Sequence, residues 1–171
     1  MRHFYVCGLL LLWISTTKAI EPETNAIHLD LVTYKQLGGE VRSRQGSVIL
    51  VDFWASYCQP CLQKLPHVIA LYNKYRRLGL QVVTVSLDDV RDGAQRELVK
   101  RILVQQQAMT RNLQLTEDAS FWSARLKMDH IPTMMLFDDQ GRLINRWTGS
   151  EINLAAIEKR IVELLPHAQP K

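Results

Sequence analysis

The sequence predicts an α/β protein in which helices cover both faces of a mixed central sheet. Strand patterns alternate with helical patterns along the chain, which favours parallel strands joined by helical crossovers. The segment 47–54 (SVILVDFW) is β-branched and apolar on both faces, as is typical of a central strand that is covered on both sides. Asp138-Asp139-Gln140-Gly141 separates two short apolar runs, which indicates a hairpin with an antiparallel strand.

The first half of the domain reads as strand, helix and strand. After the strand 47–54, the segment 61–77 has apolar residues at helical spacing, so we expect a helix there. Gly79 ends this helix before a second buried strand, 80–87 (LQVVTVSL). A short strand is also expected before these elements, near 29–32.

The second half adds helices and the hairpin. Helical patterns cover 92–109 and 119–128, and the hairpin strands are expected at 133–137 and 142–147. Ser150 is expected to cap a last helix that has an apolar face. The predicted order from the first long strand onward is therefore β-α-β-α-α-β-β-α.

Length and charge limit the classes of function. The chain has 171 residues, of which 47% are hydrophobic and 22% charged, which suits one globular domain with a core of ordinary size. The formal net charge is +4. Without Arg2 and Lys18, which belong to a segment that we expect to be removed, 19 basic residues face 17 acidic ones, counted from the same sequence. We therefore predict no nucleic-acid partner, because this excess is small and scattered.

The N-terminus has the pattern of an export signal. A short polar start is followed by an apolar run of about eleven residues and small residues before Ala19, which is shorter than the ~20 residues of a membrane-spanning helix. We interpret 1–19 as a signal peptide, 20–26 as a linker, 27–166 as the domain and 167–171 as a tail. An uncleaved membrane anchor is the alternative for the first segment, and only then would the protein contact a membrane.

Cys58 and Cys61 are the cysteines that remain after cleavage. A disulfide across two intervening residues closes so small a loop that it removes little entropy from the unfolded chain. Stability therefore explains this pair poorly, and redox chemistry explains it better. Metal binding and inert packing stay open, although a structural zinc site needs two more ligands and His67 is the only nearby histidine.

Cys58 follows the central strand at the start of a helix. Residues i and i+3 in a first helical turn lie about 5–6 Å apart, within the range that a disulfide accepts. The free N–H groups and partial positive charge of a helix start favour a thiolate at Cys58, which would then be the nucleophile. We expect Cys61, one turn further along, to be less exposed and to resolve the mixed disulfide.

Three segments carry a resemblance to a known family. The run 51–61 (VDFWASYCQPC) is similar to the active-site segment of the thioredoxin superfamily, and Pro66 stands where such proteins kink the following helix. The run 130–133 (HIPT) looks like the cis-proline loop of that superfamily. The segment 88–127 resembles the helical insertion of the exported TlpA-like branch, which includes reductases of cytochrome c maturation.

The resemblance covers about residues 45–165 and implies both a fold and a substrate site. The fold is a thioredoxin-like three-layer α/β/α sandwich with a mixed sheet and a helical insertion. Pro132 is implied to form a cis peptide bond and to face the cysteines, while the Ile131 backbone pairs with an extended substrate. Four further residues are assigned to substrate binding: Trp54, Tyr57, Gln59 and Pro60.

Asp52 is the third residue for which we predict a role in catalysis. Strand alternation places it on one face with Leu50 and Trp54, where a carboxyl group should be desolvated and its pKa raised. In thioredoxins the matching Asp helps to deprotonate the buried cysteine, so the resemblance implies a general base for Cys61. The alternative is a carboxyl group in water at the strand end.

The chain also departs from the TlpA-like pattern. That branch often has Asn at the position of Asp52 and Glu at the position of Lys64, and Tyr57 replaces the usual Trp. The carboxylate therefore stands on the strand and not on the helix, which leaves the subfamily and the substrate open.

The sequence and the resemblance together predict a protein-disulfide oxidoreductase, exported and periplasmic, either free or anchored to the inner membrane. Gln59 adds no charge that would favour the thiolate, so we predict a reductase rather than a dedicated oxidase. The expected partners are protein thiols and disulfides and a membrane thiol–disulfide electron carrier, with no prosthetic group, no metal, and apocytochrome c as the first substrate to test. The alternatives are a copper-binding or metal-handling protein on the same fold, or a disulfide oxidase or isomerase.

Overall fold

A six-stranded mixed sheet forms the centre of the protein, which a computed structural model describes over residues 27–165. The strands are β1 (Asp30–Val32), β2 (Val48–Trp54), β3 (Leu80–Ser86), β4 (Arg111–Leu115), β5 (Thr133–Phe137) and β6 (Leu143–Thr148). Their order in the sheet is β1-β4-β3-β2-β5-β6. The first four are mutually parallel, whereas β5 runs antiparallel to both β2 and β6, as the predicted hairpin requires.

Helices cover both faces of this sheet. They are α1 (Tyr34–Arg42), α2 (Gln59–Tyr75), α3 (Gly93–Gln105), α4 (Ala119–Leu126) and α5 (Leu154–Leu164). Buried residues of α1 and α4 pack with Ile49, Val51 and Phe53 of β2. The opposite face of β2 packs against α2 and α5, and α3 joins α2 on that side. The predicted three-layer α/β/α sandwich is therefore confirmed.

Two elements were not predicted. In α1, Gly38 and Gly39 lower the helical propensity, but a capping box between Thr33 and Gln36 starts the helix. In β4, Asn112 and Gln114 occupy buried positions, which hides the apolar pattern of a strand. The segment that resembled a helical insertion thus also contributes a strand to the sheet.

Several boundaries also differ from the predictions. The helix expected at 92–109 ends at Gln105, because the chain turns there to enter β4. The predicted cap Ser150 lies in a short 3-10 turn, and Asn153 caps α5 by accepting a hydrogen bond from the N–H of Ala156. The helical pattern of 61–77 becomes the helix Gln59–Tyr75, which ends two residues earlier, and Cys58 is its N-cap, as its predicted position at a helix start requires.

The segments 1–19, 20–26 and 167–171, for which we predict a signal, a linker and a tail, lie outside the described residues. Within 27–165, no helix combines the length and the apolar character that crossing a membrane requires.

A buried polar network fixes β4 beside β3. The Oδ1 of Asn112 accepts hydrogen bonds from the hydroxyls of Thr84, at 2.9 Å, and Thr110, at 2.7 Å. Its Nδ2 donates to the carbonyls of Ala108, at 2.8 Å, and His28, at 3.2 Å. All the hydrogen-bonding capacity of this amide is used, so a polar residue is stable at a buried strand position.

We predict that Asn112→Ala lowers the free energy of unfolding by about 3 kcal/mol, because it leaves several buried polar groups without partners. Urea denaturation measures this change. The control is Thr84→Val, which keeps the shape of the side chain and leaves Thr110 bonded to Asn112, so it should cost about 1 kcal/mol. Equal and small losses in both variants would contradict the prediction.

Candidate active site

Cys58 and Cys61 lie where β2 leads into α2. Cys58 is the N-cap of α2, Gln59 and Pro60 fill its first turn, and the turn before the helix is closed by a hydrogen bond from the N–H of Cys58 to the carbonyl of Ala55, at 3.1 Å. The two cysteines form a disulfide, and their Cα atoms are 5.2 Å apart, as the spacing predicts. The helix start therefore holds both sulfur atoms within bonding distance.

The surroundings of Cys58 favour a negative charge on its sulfur. The N–H of Cys61 points at the Sγ of Cys58, with 3.3 Å between nitrogen and sulfur. The partial positive charge of the helix start adds to this interaction, so a thiolate formed on reduction would be stabilised at Cys58. Cys58 is 8% exposed and Cys61 1%, which confirms the expected difference in accessibility.

An exposed rim surrounds Cys58. The Tyr57 side chain is 68% exposed, and Gln59 and Pro60 are also exposed. Partial burial of the Tyr57 hydroxyl, together with the negative charge of Asp88, raises its pKa. Trp54 is different, since it is 1% exposed and packs in the same apolar cluster as the two cysteines. The direct substrate contact expected for Trp54 is therefore corrected to packing beneath the pair.

The proline loop meets the same cluster. The Ile131–Pro132 peptide bond is cis, and the Ile131 side chain packs against the cluster that contains Cys58 and Cys61. The carbonyl of Pro132 accepts a hydrogen bond from the N–H of Gly149 at 2.9 Å, which ties the loop to the end of β6. No residue within 27–165 forms a hydrogen bond with the backbone of Ile131.

Asp52 lies inside the sheet, opposite Thr84 on β3 and Met134 on β5. Its side chain is 2% exposed, so the alternative of a carboxyl group in water is wrong. Burial without a compensating hydrogen bond from the described residues raises the pKa of Asp52 to about 7. Asp52 can therefore gain or lose a proton near neutrality, as a general base must.

Sequence analysis missed Asp88, a buried carboxylate beside the cysteine turn. It follows β3 directly and binds Ser56, two residues before Cys58. Because β2 and β3 are parallel, their carboxyl ends meet at one edge of the sheet. An acidic residue directly after β3 was thus the available signal, since ligand and catalytic groups collect at that edge.

A surface groove lies beside the cysteine turn, and the described residues form no cluster of metal ligands. This groove of about 600 Å³ is lined by Tyr57, Asp88, Arg91, Gln95 and Phe121, among other residues. Phe121 is partly exposed, whereas Trp122 of the same helix is buried in the core. Among the described residues, no three His, Cys, Asp or Glu side chains are grouped so that they could hold one metal ion.

A cysteine pair at a helix start, packed against a cis-proline loop, defines the class of dithiol proteins with a thioredoxin fold. A family model described as thioredoxin-like matches residues 46–143, so the chain belongs to the thioredoxin-like family. The predicted resemblance to the TlpA-like branch is confirmed by relatives of the ResA and DsbE types.

Curated relatives and solved structures agree on this class. The chain is 24% identical over 110 residues to the thiol-disulfide oxidoreductase ResA of Halalkalibacterium halodurans, a match that covers 64% of this chain and 58% of that protein. For ResA of Bacillus cereus the identity is 20% over 112 residues, with 66% and 61% covered. The chain thus spans about three fifths of the length of these curated relatives.

Among solved structures, a thiol:disulfide interchange protein DsbE from Chlorobium tepidum is 28% identical, with a TM-score of 0.59, and the match covers 72% of this chain and 83% of that one. A thioredoxin from Neisseria meningitidis is 20% identical, with a TM-score of 0.58 and 75% and 81% covered. The second similarity shows the fold alone.

We predict that Asp52→Asn removes most of the dependence of stability on pH. A carboxyl group whose pKa rises from 3.8 to about 7 on folding makes the folded state bind more protons, so stability falls as pH rises through that window. Between about pH 4 and pH 8, the wild-type protein should lose up to ~4 kcal/mol relative to the variant.

Urea denaturation of the oxidised protein at each pH measures this difference. The matched control is Asp129→Asn, because Asp129 is exposed and forms no hydrogen bond or ion pair with the described residues. Parallel pH curves for wild type and Asp52→Asn would show that the Asp52 carboxyl group is not protonated on folding.

Proposed function

We propose that this protein is a thiol–disulfide oxidoreductase that reduces disulfides of other proteins through Cys58 and Cys61. The observation that carries the proposal is the position of Cys58 as the N-cap of α2, with the N–H of Cys61 directed at its sulfur. This position stabilises a thiolate, and the second thiol stands close enough to displace whatever the first one binds.

The reaction transfers two electrons in two displacement steps. The Cys58 thiolate attacks one sulfur of a substrate disulfide, so a mixed disulfide forms, the substrate S–S bond breaks, and the leaving thiolate takes up a proton. Asp52 then accepts the proton of the Cys61 thiol. The resulting thiolate attacks the Sγ of Cys58, which closes the Cys58–Cys61 disulfide and expels the second substrate thiolate. That thiolate takes up a proton from Asp52 or water, so the substrate is released as a dithiol.

The surface around Cys58 is suited to an extended substrate segment. The Ile131 backbone has no hydrogen-bond partner among the described residues, so it can add a short β-type pairing with the segment that carries the substrate cysteine. Tyr57, Gln59 and Pro60 form the exposed rim that such a segment would touch. Backbone pairing of this kind depends little on the side chains of the substrate segment.

The cell compartment and partners are part of the same proposal. The signal pattern in 1–19 supports export to the periplasm, where a reductase has no direct access to cytosolic reductants. The Cys58–Cys61 disulfide would then be reduced by the thiols of a membrane electron carrier. The resemblance to reductases of cytochrome c maturation makes apocytochrome c the first substrate to test.

The neutral Gln59-Pro60 pair supports the reducing direction. Neither side chain adds a positive charge beside Cys58, so the thiolate gains only the stabilisation that the helix start supplies. A less stabilised thiolate form makes the disulfide form the more stable one, and the protein therefore a better reductant.

We predict that the wild-type protein accelerates insulin reduction by dithiothreitol, and that Cys58→Ser abolishes the acceleration because it removes the nucleophile. Cys61→Ser should also stop turnover but should accumulate mixed disulfides on Cys58, since nothing resolves them. Turbidity measures insulin reduction, and non-reducing gels with mass spectrometry identify the trapped proteins.

The control for trapping is the double variant Cys58→Ser/Cys61→Ser, which should capture no protein. An inactive wild-type protein that instead retains copper through dialysis, with both thiols required, would contradict the proposal and favour a metal-handling protein.

Asp52→Asn should slow the resolution of a preformed mixed disulfide at neutral pH by about 10²-fold, the size typical of a lost general base. The reaction is followed by stopped-flow release of a thiol from Cys58, and the rate should recover as rising pH ionises Cys61 directly. The attack of Cys58 on substrate should change little, because Asp52 is buried in the sheet. Equal resolution rates in the two proteins from about pH 6 to pH 9 would exclude this role.

A further inference from the structure

We propose that Asp88 is a positioning residue for Cys58: its carboxylate holds the turn of residues 55–58, and through it the nucleophile, at the start of α2. The inference rests on the proposed function, since it assigns the residue that aligns the attacking sulfur. Asp88 lies outside the cysteine motif and is supplied by the segment that follows β3.

The carboxylate of Asp88 is buried and fully engaged with neutral donors. The N–H of Ser56 donates to both oxygens, at 3.2 and 2.9 Å, and the Ser56 hydroxyl donates to Oδ1 at 2.5 Å. The hydroxyl of Ser86 donates to Oδ2 at 2.8 Å and accepts from the N–H of Asp88 at 3.2 Å. No described residue forms an ion pair with Asp88.

These contacts converge on the turn that carries Cys58. The N–H of Leu87 donates to the carbonyl of Trp54 at 2.9 Å and so extends the pairing of β3 with β2 by one residue. Asp88 comes next, and its contacts to Ser56 continue the same alignment into the turn closed between Ala55 and Cys58. The position of the Cys58 sulfur relative to the first turn of α2 therefore depends on the end of β3.

Loss of the negative charge of Asp88 and loss of its hydrogen bonds should have opposite effects on the reactivity of Cys58. A negative charge near Cys58 disfavours a thiolate, so removal of charge alone should make Cys58 more reactive. Loss of the hydrogen bonds should do the reverse, because the turn would no longer hold the sulfur against the N–H of Cys61. Asp88→Asn removes the charge but keeps an amide that can bond to Ser56 and Ser86, whereas Asp88→Ala removes both.

The experiment measures the pH profile of Cys58 alkylation by iodoacetamide in each reduced protein, with the modified cysteine identified by mass spectrometry. Asp88→Ala should react about tenfold more slowly than Asp88→Asn at neutral pH, and its Cys58 pKa should be the higher of the two. The kcat of insulin reduction should fall by a similar factor in Asp88→Ala. Equal profiles for the two variants would overturn the proposal.

A matched control separates positioning from general loss of stability. Asp138 is another buried carboxylate that accepts backbone N–H groups, from Gln140 at 3.0 Å and Arg142 at 2.9 Å, but it lies in the β5–β6 hairpin. Asp138→Ala should leave the alkylation profile of Cys58 unchanged. A profile that shifts as far as in Asp88→Ala would show a general effect and would overturn the proposal.

If Asp88→Ala does not fold, a second variant tests the positioning role of Asp88. Ser86→Ala removes support from the Asp88 carboxylate without touching the cysteine turn, and it should slow alkylation of Cys58 about threefold; an unchanged rate would overturn the proposal. Alkylation requires no substrate disulfide. A protein that fails to reduce insulin but shows these alkylation shifts would therefore disprove the proposed function while supporting the role of Asp88.

Discussion

The junction between β2 and α2 is the constraint on which the site depends. β2 pairs with β3 on one side and with β5 on the other, so it cannot shift without breaking both sets of hydrogen bonds. The turn that follows is closed between Ala55 and Cys58 and leads directly into the helix. Cys58 is therefore held at the N-terminal start of α2, where free N–H groups stabilise negative charge.

Burial around this junction assigns the two cysteines different tasks. Trp54, Leu65 and Ile69 surround them with apolar side chains, and Cys61 has almost no exposed surface. In the proposed reaction a bulky substrate sulfur therefore approaches Cys58, and Cys61 resolves the mixed disulfide from the buried side. The same apolar surroundings limit the access of water to the Cys61 thiol, so the proposed reaction needs a proton acceptor within the protein.

The sequence predicted the parts of the fold in which local pattern and tertiary structure agree. The apolar run of β2, the helical spacing of α2 and the Gly141 hairpin each point to one structure. It failed at β4, because Asn112 and Gln114 are buried and polar and become stable there through contacts made by distant residues. For the same reason Asp88 was missed, since its partner Ser56 lies on another strand end.

Two buried carboxyl groups, on β2 and directly after β3, differ in what surrounds them, and that difference supports the separate functions proposed for them. Asp52 stands within the sheet with no hydrogen bond from the described residues, so burial alone acts on it and makes its neutral form accessible near pH 7. Asp88 receives three donor groups that only an acceptor can satisfy together. A group that must exchange a proton cannot also be a fixed acceptor for a turn. In the proposed mechanism, proton transfer and alignment are therefore divided between Asp52 on β2 and Asp88, which directly follows the neighbouring parallel strand β3.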